Sequence, residues 1–435
     1  MEHTLSGPRT TNLRDVSSDR QKVDAVVDSG KPLRIVMVIQ RLRPYFSGQG
    51  VQVEGLCREL TKKDVDATIV TAVVGRHPRV ECINGYRIRR LRCDLPVVKF
   101  STQKYRLKSL LFSVRTFIDL WQQRKIDLVH VHALTDALYA SWLFSRLRRL
   151  PLLFEMTLLG TDDPLTVRSS RNLFWRLRYA IFCRCDGYVA ISPALAQTYK
   201  QAGLPSEKLR VIPQGVDITE FVAAEDRIVL RRQLGLPLKG SLLIFVGSLV
   251  HRKGIDILLT AWKQVCLRCP DAHLILVGKN KFAENLEDYR FLSQQLEQVP
   301  EPAIRNLHLV GLSERVSHYL QASDIFVFPS RREGFGTVII EAMACGLPCI
   351  VAELPGITDY IFGDSGSNGI VVAQENAEEL ALAIERLILD ANLAILVGRN
   401  ARQRVVDRFS FTRIADDYLD YYTNLVSARR ARLRV

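Results

Sequence analysis

Short apolar runs rich in β-branched residues alternate with longer amphipathic stretches along most of the 435-residue chain. The first series of these runs comprises residues 33–39, 67–74, 86–91, 127–131, 152–156, 187–191 and 208–212. A second series follows at residues 241–247, 272–278, 306–310, 324–328, 347–352 and 369–372. Near-continuous apolar strands separated by helices are typical of parallel sheets covered on both faces. The pattern therefore predicts an α/β fold with two doubly wound parallel-sheet domains.

A charged stretch that ends in Gly235, Pro237 and Gly240 separates the two series, and we place the domain boundary there. The domain prediction is a disordered tail, a first domain and a second domain at residues 1–30, 31–222 and 236–410. A last helix, residues 411–430, is expected to pack back on the first domain. Open α/β sheets bind ligands beyond the carboxyl ends of their strands, so two facing sheets predict a site in the cleft between the domains.

Positive charge is concentrated in the first half of the chain. Formal net charge is +14, and residues 86–125 carry eleven lysines and arginines against Asp94 and Asp119. An apolar set with helical spacing lies in this stretch: Leu107, Leu110, Leu111, Val114, Phe117, Ile118 and Trp121. Two interpretations stay open, a basic helix on an anionic membrane surface or a core-packed helix with a solvated basic edge. Nucleic acid is not an expected partner, because no recognised binding motif accompanies the charge.

The composition is that of a globular protein, with 47% hydrophobic and 24% charged residues. We expect no transmembrane helix, since no long uncharged apolar stretch occurs, and no secretory signal in the first 30 residues. The nine cysteines are irregularly spaced, which favours reduced thiols. The expected location is cytoplasmic, with peripheral attachment to the inner face of a membrane as an open alternative.

The strongest chemical signal is the segment of residues 329–348, where a predicted buried strand runs into a loop and then a helix. Gly334 and Gly336 open the loop, and a helix begins after the second glycine. Free N–H groups at a helix start suit a phosphate or a sugar hydroxyl. Glu333 and Glu341 flank this helix start, and carboxylates bind vicinal hydroxyls through charge-assisted hydrogen bonds.

This Glu-x7-Glu segment resembles the signature of the family 4 glycosyltransferases of the GT-B fold, which use a nucleotide-sugar donor. The resemblance covers residues 33–422 and implies two Rossmann-like domains with an interdomain cleft. It implies that Glu333 contacts hydroxyls of the donor sugar and that Glu341 contacts the ribose. It further assigns donor contacts to the backbone around Gly334, Phe335, Gly336 and Thr337.

Two other segments of the chain also match this family. The basic loop after residues 241–247 carries Arg252 and Lys253, which can neutralise a donor diphosphate. Many family members have arginine where this chain has Ser248. The loop after the first predicted strand offers Gly48 to the donor phosphate, although the family usually has two adjacent glycines there.

Two strand ends of the first domain supply further candidates. By the resemblance, His132 faces the donor sugar across the cleft, whereas His130 is expected to be structural. Asp162 is a candidate base for the acceptor hydroxyl, and a helix cap before Pro164 is the alternative. No metal site is predicted.

The sequence thus predicts a hexosyltransferase that moves a hexose-type sugar from an NDP-sugar to an acceptor hydroxyl. Retention of anomeric configuration is implied by the resemblance, and the expected acceptor is lipid-linked or a saccharide, in polysaccharide or glycolipid synthesis. The donor is a co-substrate, and no cofactor is expected. A noncatalytic NDP-sugar-binding subunit and a GT-B epimerase or phosphorylase stay open. A dehydrogenase is disfavoured, because a complete GxGxxG and its acidic partner are missing.

Overall fold

The computed structural model describes residues 32–43, 47–73, 75–93, 102–169, 173–279, 286–363 and 366–434. The predicted tail, residues 1–30, lies outside these ranges, as do residues 44–46 of the first loop. Within them, the strands are β1 (Leu33–Ile39), β2 (Val65–Val73), β3 (Val80–Ile83), β4 (Tyr86–Arg92), β5 (Leu128–His132), β6 (Leu152–Met156), β7 (Gly187–Ala190), β8 (Leu209–Val211), β9 (Leu242–Val246), β10 (His273–Val277), β11 (Leu307–Gly311), β12 (Ile325–Phe328), β13 (Cys349–Ala352) and β14 (Ile370–Val372).

Helices connect the strands and cover both sheets. They are α1 (Gly48–Thr61), α2 (Thr102–Gln122), α3 (Ala137–Arg148), α4 (Pro164–Ser169), α5 (Leu173–Phe182), α6 (Pro193–Gln201), α7 (Arg227–Leu234), α8 (Ile255–Arg268), α9 (Leu286–Glu297), α10 (Glu301–Arg305), α11 (Val316–Ala322), α12 (Thr337–Ala344), α13 (Thr358–Phe362), α14 (Ala377–Leu389), α15 (Ala391–Arg408) and α16 (Phe411–Arg434). Among the described residues, none of these helices is long and apolar enough to cross a membrane.

The first sheet has the strand order β3-β4-β2-β1-β5-β6-β7-β8. Its pairs are parallel, with Leu33 of β1 opposite Val65 of β2, except that β3 runs antiparallel to β4. The sequence analysis missed β3, which is short and has no buried residue. Asn84 and Gly85 join it to β4 with φ values of 48° and 86°, the left-handed turn typical of a two-residue hairpin.

The second sheet has the order β11-β10-β9-β12-β13-β14, and every pair in it is parallel. Every residue of the central strands β9, β12 and β13 is buried, as expected where helices cover both faces. The predicted fold class is confirmed: the molecule has two parallel-sheet α/β units.

Two helix layers enclose the first sheet. One face packs α1 and α16 against alternate strand residues such as Met37, and the other packs α2, α3 and α5 against residues such as Val38. The last helix reaches the sheet because Gly187 of β7 has no side chain. A Cβ atom there would lie 2.6 Å from the hydroxyl of Tyr421, which itself accepts from the Tyr188 N–H at 3.1 Å.

The chain passes from the first sheet to the second and returns to the first with α16. At the return, the Val216 N–H donates to the Phe409 carbonyl at 2.8 Å. Helix α7 packs with the second unit, where Arg231 pairs with Asp324 at 2.6 Å. The carboxyl ends of both sheets meet at this connection, which positions the loops described next.

Candidate active site

Glu333 lies in the loop between β12 and α12, and its carboxylate is buried. Its Oε1 accepts from Lys253 Nζ at 2.5 Å, from Ser330 Oγ at 2.6 Å and from Arg252 Nη1 at 3.4 Å. Two cations and a buried hydroxyl therefore converge on one carboxylate oxygen. A paired carboxylate of this kind can stay ionised away from water.

Lys253 comes from a single helical turn, His251–Lys253, that follows β9. Its Nζ lies 4.9 Å from the centre of the Phe328 ring, and burial lowers the pKa of the ammonium although Glu333 opposes this shift. Gly254 ends the turn at φ 71°, and a Cβ atom there would lie 1.9 Å from the Pro329 carbonyl oxygen. Glycine is needed at this position for the cationic turn to approach the Glu333 loop.

Arg331 fixes the Glu333 loop to the same turn from its other side. Its Nη1 and Nη2 atoms each donate to Asp256 at 2.8 Å, and it also pairs with Glu375 at 2.5 Å. Arg331 was not among the predicted site residues, although its position two residues before Glu333 in a basic run was a usable signal.

Helix α12 begins directly after this loop, at the contact between the two halves. Gly336 precedes the helix at φ 85°, and no side chain caps the helix start. Gly334 fits closely against the first half, since a Cβ atom there would lie 1.9 Å from the Thr157 carbonyl oxygen. The Phe335 ring is buried 5.8 Å from the Phe409 ring, so this residue packs in the core and offers its backbone to the cleft. Thr337 Oγ1 hydrogen bonds to the Gln214 side chain.

Glu341, one turn into α12, is partly buried and lines a cleft cavity of about 250 Å³. Burial, with a smaller contribution from the nearby Glu220, raises the pKa of Glu341 to about 7. The cavity walls come from both halves, with Arg43, Glu54 and Arg58 on the side of the first sheet. The two predicted carboxylates therefore differ in their surroundings, since Glu333 is neutralised by cations and Glu341 is not.

The first half contributes a buried polar cluster at the ends of β5 and β6. His132 Nδ1 lies 3.3 Å from Glu155 Oε2, which accepts from Tyr418 Oη at 2.5 Å. His130, which is fully buried, lies 2.8 Å from Tyr422 Oη, and burial holds its pKa well below the usual value. Despite this short distance to Glu155, neither ring nitrogen of His132 makes a hydrogen bond within the described part of the chain.

Gln214 connects this cluster to the second half. Gln214 lines a small cavity with His132 and also hydrogen bonds to Thr337 of α12. Gln214 was not among the predicted site residues. Potential ligand atoms of His130, His132 and Glu155 all lie within 4.8 Å of one another, so these three residues could hold a metal ion.

Asp162 is buried and organises the loop after β6. Its Oδ2 accepts from the Thr157 N–H at 3.0 Å and from Thr157 Oγ1 at 2.6 Å, and its Oδ1 accepts from the Leu158 N–H at 2.7 Å. Burial raises the pKa of Asp162 to about 6. The helix cap proposed for Asp162 is made by its neighbour, because Asp163 Oδ1 accepts from the Thr166 N–H at 3.0 Å.

Of the remaining candidates, Gly48 is the first residue of α1. Ser47 caps that helix by accepting from the Gly50 N–H at 3.3 Å, and a Cβ atom at Gly48 would meet open space.

Arg252 is about one-third exposed and donates to the Arg332 carbonyl at 2.7 Å as well as to Glu333. Arg252 and Lys253 thus approach Glu333 from the exposed and the buried side.

Two family models match the chain, one on each half. The model described as Glycosyltransferase Family 4 matches residues 46–220, and the model described as Glycosyl transferases group 1 matches residues 226–404. With two facing parallel-sheet units and the loops above, these matches define the class of the protein. The chain is a glycosyltransferase of the GT-B type.

Curated relatives extend over different shares of the chain. An uncharacterized glycosyltransferase of Methanocaldococcus jannaschii is 24% identical over 90% of this chain and 98% of its own length. A UDP-Gal:alpha-D-GlcNAc-diphosphoundecaprenol alpha-1,3-galactosyltransferase of Escherichia coli is 26% identical over 73% of this chain and 81% of its own. A D-inositol 3-phosphate glycosyltransferase of Corynebacterium jeikeium is 32% identical, and the chain spans about half (52%) of its length.

Solved structures share the fold. Sucrose-phosphate synthase from Thermosynechococcus elongatus has a TM-score of 0.74 and 24% identity, covering 91% of this chain and all of that one. The Anabaena protein HepE, solved in complex with UDP-glucose, has a TM-score of 0.70 and 20% identity, covering 90% of this chain and all of that one.

Proposed function

We propose that this protein transfers a hexose-type sugar from a nucleoside diphosphate sugar to an acceptor hydroxyl, with retention of anomeric configuration. The observation that carries the proposal is the buried Glu333 carboxylate held by Lys253 and Arg252. A donor presents the complement of this arrangement, a diphosphate for the cations and hydroxyls for the carboxylate. HepE, solved with UDP-glucose, and the galactosyltransferase named for UDP-Gal support a nucleotide-sugar donor.

In the proposed reaction, the donor replaces the ion pair between Glu333 and the two cations with contacts of its own. The diphosphate attracts Lys253 and Arg252, and Glu333 then accepts hydrogen bonds from the sugar hydroxyls. The cations stabilise the negative charge that grows on the departing diphosphate, so the same contact strengthens in the transition state. Glu341 accepts from the ribose hydroxyls, and the backbone from Gly334 to Thr337 lines the sugar and the diphosphate.

The acceptor side of the proposal uses the first half. The departing diphosphate takes the acceptor proton, so that no protein base is required, and Asp162 holds the loop of residues 157–163 against Gly334. His132 supports the cleft floor together with Gln214. Charge neutralisation by Lys253 and Arg252 makes a metal ion unnecessary in this scheme.

We further propose a lipid-linked or saccharide acceptor and work at the cytoplasmic face of a membrane. The Escherichia coli relative is named for a diphosphoundecaprenol-linked acceptor, which supports a lipid-borne one. Polysaccharide or glycolipid synthesis is the setting that fits such acceptors. Peripheral contact with an anionic membrane follows from this proposal.

A donor panel tests the reaction. Wild type and Glu333→Gln are incubated with UDP-, GDP- and ADP-sugars, and released nucleoside diphosphate is measured. We expect slow hydrolysis of one donor, reduced about a thousandfold in Glu333→Gln because the sugar loses its charged acceptor. The control is Glu301→Gln, an exposed glutamate on α10, which should leave hydrolysis unchanged.

The same panel separates the alternatives. An epimerase would convert the sugar without releasing nucleoside diphosphate, and a phosphorylase would require added phosphate. A noncatalytic subunit would bind a donor without turnover in the presence of any acceptor. Equal hydrolysis by wild type and Glu333→Gln would contradict the role given to Glu333.

A further inference from the structure

Three helices form a continuous layer on the outside of the first half. Ser113 of α2 donates to the Asp136 carbonyl at 2.7 Å, and the Trp121 and Phe144 rings of α2 and α3 lie 6.3 Å apart. Arg178 of α5 pairs with Asp136 at the start of α3. We call the solvent side of α2, α3 and α5 the outer face.

One apolar side of α2 faces solvent, whereas Phe112 and Leu120 on the opposite side are buried in the core. Five of its residues are each about half exposed: Leu107, Leu110, Val114, Ile118 and Trp121. The buried side of the helix includes four polar residues: Ser109, Ser113, Thr116 and Asp119. A helix that only had to cover the sheet would carry polar residues on its outer side. The helix is therefore packed on the core, as one interpretation expected, and it also exposes five apolar side chains to solvent.

Neighbouring helices extend the apolar surface. Leu143 and Leu147 of α3 and Leu177 of α5 are also about half exposed. Scattered single apolar residues are common on protein surfaces, but eight half-exposed ones on three neighbouring helices favour an interaction surface.

The charge of the outer face is one-sided. The sequences of α2, α3 and α5 contain eight lysines and arginines and a single carboxylate, Asp119. Asp119 is buried and accepts from Arg89 at 2.6 to 3.0 Å, so it does not offset the charge at the surface. Arg148 lies over the Trp121 ring at 5.2 Å, with its charged end beside an exposed apolar group. This mixture of basic and apolar side chains suits a partner that has anionic groups at its surface and an apolar layer beneath them.

We propose that the outer face docks on the surface of an anionic lipid bilayer. This inference deepens the proposed function, on which it rests for the lipid-borne acceptor. The half-exposed apolar side chains enter the boundary between headgroups and acyl chains, and the arginines and lysines contact lipid phosphates. A second copy of the chain is a poor occupant, because an isologous contact would bring two like-charged faces together.

The docking places the cleft at the membrane. Helix α3 begins shortly after β5, at the carboxyl end of the sheet, where the loop of residues 157–163 meets Gly334. The outer face therefore starts at the rim of the cleft. An acceptor headgroup can enter from the bilayer while its lipid tail stays there.

Vesicle sedimentation of the full chain tests the proposal, using neutral phosphatidylcholine vesicles and vesicles with 30% phosphatidylglycerol. The variant Leu110→Ser/Val114→Ser/Ile118→Ser changes the outer face. The control, Leu389→Ser/Ile395→Ser/Leu396→Ser, changes apolar residues of α14 and α15 that are at least about as exposed. We expect salt-sensitive binding of wild type and control to the anionic vesicles, weakened at least about tenfold in the outer-face variant.

A charge variant and a fluorescence measurement test the proposal independently, in case the triple variant does not fold. Arg146→Glu/Arg148→Glu should weaken anionic-vesicle binding by a similar factor with an unchanged circular dichroism melt. Trp121 emission should shift to the blue on binding and be quenched by brominated lipid, and Trp121→Phe should remove most of this signal.

Equal binding of wild type and outer-face variant, or no quenching of Trp121, would overturn the proposal. So would a lipid-free wild-type dimer that the outer-face variant turns into monomers, since the face would then join two copies. Donor hydrolysis without vesicles should be unchanged in both serine variants. Loss of vesicle binding with intact hydrolysis therefore tests the docking, whereas absent hydrolysis in wild type bears on the proposed function.

Discussion

Each half of the molecule holds a buried carboxylate near the cleft, and the two have different partners. Glu333 in the second half is paired with the ammonium of Lys253, whereas Glu155 in the first half accepts the Tyr418 hydroxyl and faces two histidine rings. An incoming anion can draw a cation away from Glu333. Tyr418 belongs to α16, so Glu155 joins that helix to the sheet. We propose that the ion pair of Glu333 exchanges partners with the donor, whereas Glu155 holds α16 on the sheet.

Removing Lys253 gives the largest expected effect after Glu333→Gln itself. Lys253→Met should lower kcat/KM for the donor about a hundredfold, because the diphosphate loses a buried cation. It should also lower the free energy of unfolding by about 2 kcal/mol, since the buried Glu333 carboxylate loses the ammonium and retains the hydrogen bonds from Ser330 and Arg252. Urea denaturation measures this loss.

A double-mutant cycle completes the Lys253 prediction. Combining Lys253→Met with Glu333→Gln should restore most of the lost stability, because no unpaired charge is then buried. The exposed pair of Glu301 and Arg305 on α10 is the control, with an expected coupling below about 0.5 kcal/mol. Additive effects at Lys253 and Glu333 would show that the pair is not coupled.

The sequence predicted these groups but not their pairing. The strands were predictable because buried parallel strands are apolar almost throughout, whereas β3 alternates between exposed and half-buried residues and escaped notice. Glu333 and Lys253 were found from local motifs. The contact between Glu333 and Lys253 could not be predicted in this way, since the two residues lie 80 positions apart and meet only through the packing of two loops.

The orientation of α2 was also beyond the sequence. Its apolar spacing is the same whether the stripe faces the sheet or solvent, and only the packed structure shows which side is buried. Glu155 lies inside β6 and was not among the predicted site residues. Its partner Tyr418 is 263 positions away, so no local pattern indicates the contact.

Glu341 supplies the next prediction, a pH dependence of donor binding. Because burial raises its pKa to about 7, Glu341 is mostly ionised above that pH and mostly protonated below it, so the hydrogen bonds we propose from the ribose hydroxyls should weaken as the pH falls. KM for the NDP-sugar should rise up to about tenfold between pH 8 and pH 6, and Glu341→Gln should flatten the profile. A profile with the same slope in both proteins would remove Glu341 from the donor site.

The raised pKa of Glu341 has a matching consequence for stability. The folded state favours the protonated acid, so this contribution is present below pH 4.5 and is lost as the pH rises to about 7. Thermal melts across this range should show wild type losing stability relative to Glu341→Gln.

Glu155→Gln should have a smaller effect on activity. The amide oxygen can still accept the Tyr418 hydroxyl, so we expect donor hydrolysis within about fivefold of wild type and a stability loss of about 1 kcal/mol. Hydrolysis and urea denaturation of the same preparation measure both. A loss of donor hydrolysis as large as that of Glu333→Gln would contradict the distinction between the two carboxylates, because Glu155 would then take part in the reaction.

Chelation should have no effect on turnover. Lys253 and Arg252 provide the positive charge in our account, so donor hydrolysis after extended treatment with EDTA should match the untreated enzyme. If activity falls and zinc restores it, the metal-free scheme is wrong, and His130, His132 and Glu155 become the candidate metal ligands.

Calorimetric titration of nucleoside diphosphate and of the matching NDP-sugar into wild type and Glu333→Gln tests the central claim most directly. If donor binding exchanges the partners of Glu333, the variant should bind the nucleoside diphosphate at least as tightly as wild type, because Lys253 is already free. The extra affinity that the sugar gives wild type should be absent. Loss of nucleoside diphosphate affinity in Glu333→Gln, or a sugar contribution equal in both proteins, would contradict the account.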